Sequence, residues 1–394
     1  MSKALLTTTP TTTRLASIDA LRGLVMVIMA LDHVRDFFTN APFSPTDLGQ
    51  TSPALFLTRW VTHYCAPVFV FLAGTGAGLA RLSGKTAPSL ARFLVSRGLW
   101  LVALELTVVR FAWVFNLNYR ASVAQVIWAI GWSMVLLAPL VFRSMRAAGL
   151  FGVLLVATHN LLDRTEVAGR AAALYTVLHQ PGPVAIDGAH RLYIAYPLLP
   201  WVGVMAAGYG FAAIVTLPER ERRRALVGFG GALIAGFALL RLANGYGDPR
   251  PWAPQQSAIF TLLSFLNCTK YPPSLDYLMM TLGPALLVLA LFERLPARWL
   301  SPLVVFGRVP LFYYVLHLFL IHAIALAVSY LHRGRLFDSL LGGAGFPGSI
   351  PPAVGYGLGV VYLVWALVVL ALYAPCVWYA ALKARNKSPW LSYL

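Results

Sequence analysis

Charge is scarce in this 394-residue sequence: 11% of its residues are Asp, Glu, Lys or Arg, whereas 59% are hydrophobic. A soluble domain of ordinary composition carries about 25% charged residues. With a mean hydropathy of +0.71, the deficit excludes that class and implies an integral membrane protein. Acidic residues are scarcer still, 14 against 31 Lys and Arg. The resulting net charge of +17 does not point to nucleic acid, because no Lys/Arg tract is long enough to form a phosphate-binding face. The densest cluster is PERERRR at 218–224, and positive-inside topology accounts for it. Cysteine is equally sparse. Cys65, Cys268 and Cys376 stand far apart, with no C-x-x-C and no metal-ligand spacing, so neither a disulfide framework nor a structural zinc site is expected and the three are read as packing residues. H-E-x-x-H and G-x-S-x-G are absent, which removes support for zincin and α/β-hydrolase chemistry. GLARLSGKT at 78–86 misses the P-loop, since five residues rather than four separate Gly78 from Gly84 and no strand precedes it. The Thr-rich stretch before Arg14 lacks the layout of a cleavable signal, so the first hydrophobic helix is expected to be retained.

What is present in abundance is the apolar run of roughly 20 residues, which argues for helices rather than the alternating segments of about 10 residues in a membrane β-barrel. The fold class expected is all-α, a polytopic transmembrane helical bundle. Apolar length and turn signals give about ten spans, at residues 17–38, 55–80, 91–115, 121–142, 147–162, 192–216, 225–244, 273–292, 303–331 and 353–382. Both chain ends are expected on the cytoplasmic side, with 1–16 a cytoplasmic segment, 17–382 a single transmembrane domain and 383–394 a cytoplasmic tail holding Lys383, Arg385 and Lys387. The longer connections at 39–54, 163–191 and 245–272, and the glycine-rich turn around LGGAGFPGS, then fall on the opposite side, where an acceptor site would be built.

The first span, SIDALRGLVMVIMALDHVRDFF, carries Asp19, Arg22, Asp32, His33, Arg35 and Asp36. The apolar stretch between Arg22 and Asp32 covers about half of a ~30 Å hydrocarbon core at ~1.5 Å per residue, so some polar groups lie at membrane depth. At ~100° per residue, Asp19, Arg22, Asp32, His33 and Asp36 fall within an arc of about 140°, with Arg35 outside it. Facing lipid would cost a carboxylate or guanidinium about 2.5–3.5 kcal/mol, so the shared face should turn into the bundle or a wet cavity. Structural ion pairing explains Asp19 and Arg22 equally well. In DHVRD a titratable imidazole has carboxylates one residue before and three after it, which makes His33 the candidate acid or base and Asp32 or Asp36 the group that orients its ring.

RWVTHYCAP puts Arg59 and His63 four residues apart, adjacent on one helix face. His63 is the second catalytic candidate and Arg59 a substrate ligand; a core histidine and a snorkelling arginine are the bland alternatives. Gly74 and Gly78 extend nearly the same stripe as G-x-x-x-G, which lets another helix approach closely, and the first two spans are expected to pack with their polar ends facing one pocket. NCTKYPPSLDY sets Lys270 and Tyr271 beside two prolines at the outer start of a span, where a cation can be presented to substrate. In GRVPLFYYVLHLFLIH, His317 sits mid-helix with Tyr313 and Tyr314 on neighbouring faces, a substrate-binding residue or a buried histidine satisfied by a tyrosine hydroxyl. His322 is a weaker candidate, and His159, His179, His190 and His332 read as loop or interface residues.

Taken in order, RLASIDALRGLVMVIMALDHVRDFF, SPALFLTRWVTHYCAPVFVFLAG, YPLLPWVGVMAAGYG, NCTKYPPSL and GRVPLFYYVLHLFLIH resemble the bacterial branch of the heparan-alpha-glucosaminide N-acetyltransferase-like membrane proteins. The resemblance covers most of the chain, and it rests on five ordered blocks of which the R-x-x-S-x-D-x-x-R-G opening is one. It implies a membrane acyltransferase that takes acetyl from cytosolic acetyl-CoA and delivers it to an amino sugar on the far side. By the same resemblance Asp19 and Arg22 belong to the opening motif and His317 matches the histidine after the tyrosine-rich run. The lysosomal relatives are associated with a histidine in the loop after the first helix; residues 39–54 contain none, which leaves His33 and His63 as the nearest candidates. The expected co-substrate is acetyl-CoA, with no metal. The expected partners are the lipid bilayer, acetyl-CoA and a sugar or glycan acceptor, with a homodimer left open and nucleic acid excluded, and the expected location is the bacterial cytoplasmic (inner) membrane. Acyl transfer would use His33 to deprotonate the acceptor and His63 or Arg59 to stabilise the oxyanion, by direct attack or through an acetyl-histidine. Arg92, Arg97 and Arg308 near helix ends are candidates for the CoA phosphates. The alternatives are an O-acyltransferase of envelope polysaccharide, with Trp252 and Tyr271 in aromatic outer loops suiting either sugar, and a proton-coupled transporter.

Overall fold

The computed structural model describes residues 16–169, 171–334, 336–342, 349–386, 388, 391 and 393. The expected segment before residue 16, most of the LGGAGFPGS turn and Lys387 lie outside the described residues. Among the described residues fifteen α-helices run in chain order as α1 (Ala16–Phe38), α2 (Pro53–Val61), α3 (Cys65–Leu82), α4 (Ala87–Leu104), α5 (Arg110–Val114), α6 (Val126–Leu137), α7 (Met145–Thr158), α8 (Ala171–Leu178), α9 (Leu198–Val215), α10 (Glu219–Ala243), α11 (Ala258–Leu266), α12 (Leu275–Phe292), α13 (Ala297–Arg308), α14 (Pro310–Arg333) and α15 (Leu358–Arg385). Their starts follow the sequence. Ser52, Thr86, Ser144, Ser257 and Ser274 each accept a hydrogen bond from a backbone N–H in the first turn of α2, α4, α7, α11 and α12, which satisfies donors that a helix leaves open.

Among the described residues seven helical segments are long and apolar enough to cross a membrane: 53–82, 145–162, 198–215, 219–243, 275–292, 310–332 and 358–385. The 53–82 segment is continuous because a 3₁₀ turn at Thr62–Tyr64 joins α2 to α3. The other expected positions are taken by the charge-bearing α1, by α4 and α5 joined through a π turn at Glu105–Val109, and by the shorter α6. Three expected spans differ in detail. Residues 303–331 form two helices rather than one, because Pro310 offers no N–H to continue α13 and instead opens α14. Residues 121–124 and 191–194 are strands, β1 (Ala121–Ala124) and β3 (Arg191–Ile194), which with β2 (Gly182–Ala185) make a small sheet of order β1-β3-β2. β1 and β3 are parallel, pairing Ala121 with Arg191, and β2 runs antiparallel to β3, pairing Gly182 with Ile194.

α1 lies in the middle of the apolar core, with Leu21, Val25, Met26, Val34, Phe37 and Phe38 all buried, and it packs against α3, α12, α13, α14 and α15. Its tightest neighbour is α13. A Cβ added at Gly23 would stand 1.8 Å from the Leu303 carbonyl oxygen, and one at Gly307 would stand 1.8 Å from that of Asp19. The G-x-x-x-G stripe of Gly74 and Gly78 does permit a close approach, but the helix that uses it is α9 rather than the first span: added Cβ atoms would meet the carbonyl oxygens of Met205 at 2.0 Å and Tyr209 at 2.5 Å.

Candidate functional site

Where α1 passes the α2–α3 junction, its second cluster of charges faces inward. Asp32 accepts hydrogen bonds from Arg59 at Oδ2 and, at 2.9 Å, from Thr62 Oγ1 at Oδ1, and Arg35 Nη2 lies 2.9 Å from that same Oδ1. Arg35 also donates to Asp36. This guanidinium, 3% exposed, starts outside the arc of the other five polar residues but is long enough to reach round the helix. Asp32 and Asp36 are therefore engaged by arginines, and neither orients His33.

The ring that does so comes from α14. His33 Nδ1 and His317 Nε2 are 2.6 Å apart, with the two rings stacked at 4.9 Å. His317 Nδ1 is 2.9 Å from the Tyr313 carbonyl oxygen, and because a carbonyl only accepts, Nδ1 carries the hydrogen. In neutral His317, Nε2 is then an acceptor, so His33 Nδ1 must be the donor in the short contact. That leaves the lone pair of neutral His33 on Nε2. The edge of Trp113 packs against the His33 ring at 5.0 Å, fixing its plane.

His33 faces a cavity of about 70 Å³ that is also lined by Asp32, Asp36, Arg59, Lys270 and Tyr271. Six residues singled out in the sequence thus meet, with His317 directly behind them. Lys270 and Tyr271 reach the cavity because their loop is pinned from within. Arg241, 2% exposed, donates to the carbonyl oxygens of Phe265, Arg250, Ser264 and Asn267 at 2.8–3.1 Å. Asp248 accepts from Thr269 N, Thr269 Oγ1 and Ser274 Oγ at 2.6–2.9 Å. For Tyr271, burial works to raise the phenol's pKa, but nearby Lys270 and Arg59 and a hydrogen bond from Tyr196 outweigh it and hold it below its ordinary value; burial pushes Tyr196 well above its own.

The remaining candidates lie elsewhere. His63 is buried beside the cavity without lining it; its ring packs on Tyr277 at 5.4 Å and its carbonyl accepts the Tyr277 hydroxyl at 2.7 Å. Asp19 and Arg22 pair at 3.0 Å at the other end of α1, where Arg22 also donates to the Gly307 carbonyl oxygen at 3.1 Å. Arg92 is exposed. The Trp252 indole N–H is turned into its own loop, donating to the Arg241 carbonyl oxygen at 2.7 Å.

Two larger cavities flank the central one. An inner cavity of about 480 Å³ has an apolar wall and five cations, Arg22, Lys85, Arg97, Arg308 and Lys383, and shares Met29, Phe69, Val126 and Tyr314 with the centre. An outer cavity of about 620 Å³, walled by β1, β3, Pro181 and Pro183, shares Asp36, Trp113, Gln125 and Tyr271 with it. Sequence reading missed Tyr196, Thr62, Gln125 and Trp113 on the central wall, and it named Tyr314 only as a neighbour of His317 and Lys383 only as a tail residue, without placing them or Lys85 at a cavity. The hints were the position of Thr62 one residue before His63 and of Tyr314 three before His317; the others come to the site through tertiary packing. Glu105 contributes indirectly: its carboxylate accepts from the N–H groups of Ile127 and Trp128 at 3.0 and 3.2 Å, which fixes the start of α6 beside Gln125 and Val126.

A family model described as heparan-alpha-glucosaminide N-acetyltransferase, catalytic, matches residues 14–240 of the chain. No curated protein matches it. The matched stretch carries Asp32, His33, Asp36 and Arg59, whereas Lys270, Tyr271 and His317 lie beyond it.

Proposed function

The chain belongs to the heparan-alpha-glucosaminide N-acetyltransferase catalytic family, which makes it an acetyltransferase-type enzyme of the membrane, and we propose that it moves acetyl from acetyl-CoA to an amino sugar or related glycan on the opposite side of the bilayer. The observation that carries this reading is the sequence of three adjoining cavities with His33 at the narrow one. In this reading the five cations of the inner cavity take the CoA phosphates, the apolar wall takes the thiol arm, and the outer cavity takes the acceptor. Arg97 and Arg308, expected near the phosphates, are among the five; Arg92 is not. The basic end is then cytoplasmic, with 17–382 acting as one domain in a bacterial cytoplasmic membrane.

The chemistry follows from the hydrogen-bond chain. His33 Nε2 removes a proton from the acceptor amine as its nitrogen attacks the thioester carbonyl, and the charge that forms on the imidazole strengthens the donation from Nδ1 to His317. Arg59 and Lys270 face the oxyanion as it develops in a site poor in water. Collapse of the tetrahedral species breaks the C–S bond, and CoA leaves as a thiol after taking the proton held on His33 Nε2, which returns His33 to its neutral form. His317 acts as a positioning residue, Asp32 holds Arg59, and His63 stays outside the step. Asp19 and Arg22 serve the inner cavity and the α1–α13 junction rather than the reacting atoms.

The test is acceptor-dependent release of CoA from acetyl-CoA by the full chain in lipid nanodiscs, with glucosamine and with sugar polyols. Release with glucosamine that disappears in folded His33→Ala and persists in His63→Ala is the expected result. Release with polyols alone would reassign the acceptor atom to oxygen, and proton-driven solute uptake without CoA release would overturn the acyl-transfer reading.

A further inference from the structure

At the end of α7 that points away from the basic face, three side chains with no part in acyl transfer converge. α7 passes into a 3₁₀ turn at His159–Leu162, and the short α8 ends at Leu178, so that His159, Asp163 and His179 come together with potential ligand atoms all within 4.8 Å of one another. Spacing alone offers little sign of this, because His179 is 16 positions beyond Asp163 and is brought back only by the fold. Part of the cluster is accounted for by ordinary hydrogen bonding. His179 Nε2 lies 3.0 Å from Asp163 Oδ1, and Asn160 Nδ2 donates to Asp163 Oδ2 at 2.7 Å. His159 is not accounted for. It is 1% exposed, yet neither ring nitrogen has a hydrogen-bond partner, and His179 Nδ1 has none either.

An unpaired buried donor or acceptor costs about 1–3 kcal/mol, and an imidazole presents one of each. A cation meets the lone-pair half of this need, because it takes one ring lone pair from each histidine and one carboxylate oxygen, and leaves a single N–H donor on each ring. The donor set selects the ion. Two imidazoles and a carboxylate suit zinc, whereas Ca²⁺ and Mg²⁺ favour oxygen ligands. Asn160 supplies the outer hydrogen bond that orients the ligating carboxylate, and its own Oδ1 accepts from Leu275 N at 2.9 Å, which ties the cluster to the start of α12.

We propose that His159, Asp163 and His179 form a binding site for one Zn²⁺ ion, which clamps the end of α7 to the segment leading into β2. The expectation of no metal rested on sequence spacing, and the folded arrangement departs from it. The position gives the clamp a consequence. Gly182 opens β2 three residues after His179, Pro181 and Pro183 line the outer cavity, and β3 joins β2 to β1 beside Gln125. The ion therefore braces the wall of the outer cavity while standing apart from His33.

The experiment uses the full chain purified in detergent with a histidine-free tag, stripped with chelator, then titrated with Zn²⁺ or with Co²⁺ as its visible reporter. Metal content, thermal unfolding and visible absorption are read. The expected result is uptake of one Zn²⁺ per chain, a rise in unfolding temperature, and the strong visible bands of four-coordinate Co²⁺, all lost in His159→Ala and Asp163→Asn. His159→Gln fills the space left by alanine and serves if His159→Ala does not fold. Failure of the stripped wild-type protein to take up Zn²⁺, or uptake unchanged in the folded variants, overturns the proposal. These readouts do not involve acetyl transfer, so they stand whatever the acceptor proves to be.

Discussion

His33 and His317 lie 284 positions apart in the chain, yet the tautomer of one is set by the other. This makes a prediction about rates rather than binding. His317→Phe removes the acceptor for His33 Nδ1–H and should lower kcat about 10- to 10²-fold, with KM for acetyl-CoA little changed. His317→Gln, whose amide oxygen can accept the same hydrogen bond, should recover part of the loss. Equal losses in both variants, or a change in KM alone, would count against a positioning role. Tyr271 gives a pH signature. Burial opposes its ionisation, but Lys270 and Arg59 prevail, and its pKa is lowered from the ordinary value of about 10. Once ionised, Tyr271 adds a negative charge beside the two cations assigned to the oxyanion. Activity should therefore fall as pH rises through an alkaline limb lying below pH ~10, and that limb should move or vanish in Tyr271→Phe in a pH profile of kcat/KM.

At the scale of elements, glycine placement decides which helices meet. A Cβ at Gly307 would stand 1.8 Å from backbone, the Asp19 carbonyl oxygen, which cannot swing aside as a flexible side chain does. Gly307→Ala should destabilise the protein by about 1–3 kcal/mol or more, seen as earlier thermal unfolding in micelles. Gly231→Ala on α10 is the control, since a Cβ there meets nothing within 4 Å and alanine is the better helix former. The loop between α10 and α12 depends instead on one buried cation. Arg241→Met would leave four carbonyl oxygens without their donor and Asp248 without the guanidinium 3.9 Å away. Because removing one partner of a buried charged network costs about 3–5 kcal/mol, the 245–272 loop should become protease-sensitive. Lys270 would then lose its position, and turnover should fall before overall helix content does.

At the scale of the whole molecule, the cations gather at one end of the line of cavities and the sheet at the other. In proteoliposomes of known orientation, acetyl-CoA should be consumed from the basic side and acetylated acceptor should appear on the opposite side. Arg97→Ala should raise KM for acetyl-CoA several-fold and flatten its salt dependence, as expected when one cation facing phosphate is removed. Product on the same side as acetyl-CoA would contradict transfer across the bundle.

Much of this was legible in the sequence because membrane insertion writes itself into composition. Long apolar runs fix where helices cross, positive charge clusters at one end, and an ionisable pair such as Asp32–His33 inside an apolar segment is too costly to be there without a polar enclosure. The inward face of α1 followed from helical periodicity, and Arg59, Lys270 and Tyr271 from their residue types at the ends of spans. Which groups touch did not follow. Periodicity describes one helix at a time, so it could not tell that His33 is paired with His317 rather than with Asp32, that Gly74 and Gly78 receive α9, or that His159 and His179 meet across an intervening loop. Nor could it foresee a three-stranded sheet whose strands are four residues each, too short to leave a pattern. The sequence by itself determined a helical membrane protein with a charged helix turned inward; only the tertiary structure decided the partners of those charges, because side-chain pairing depends on the mutual rotation and offset of helices distant in the chain.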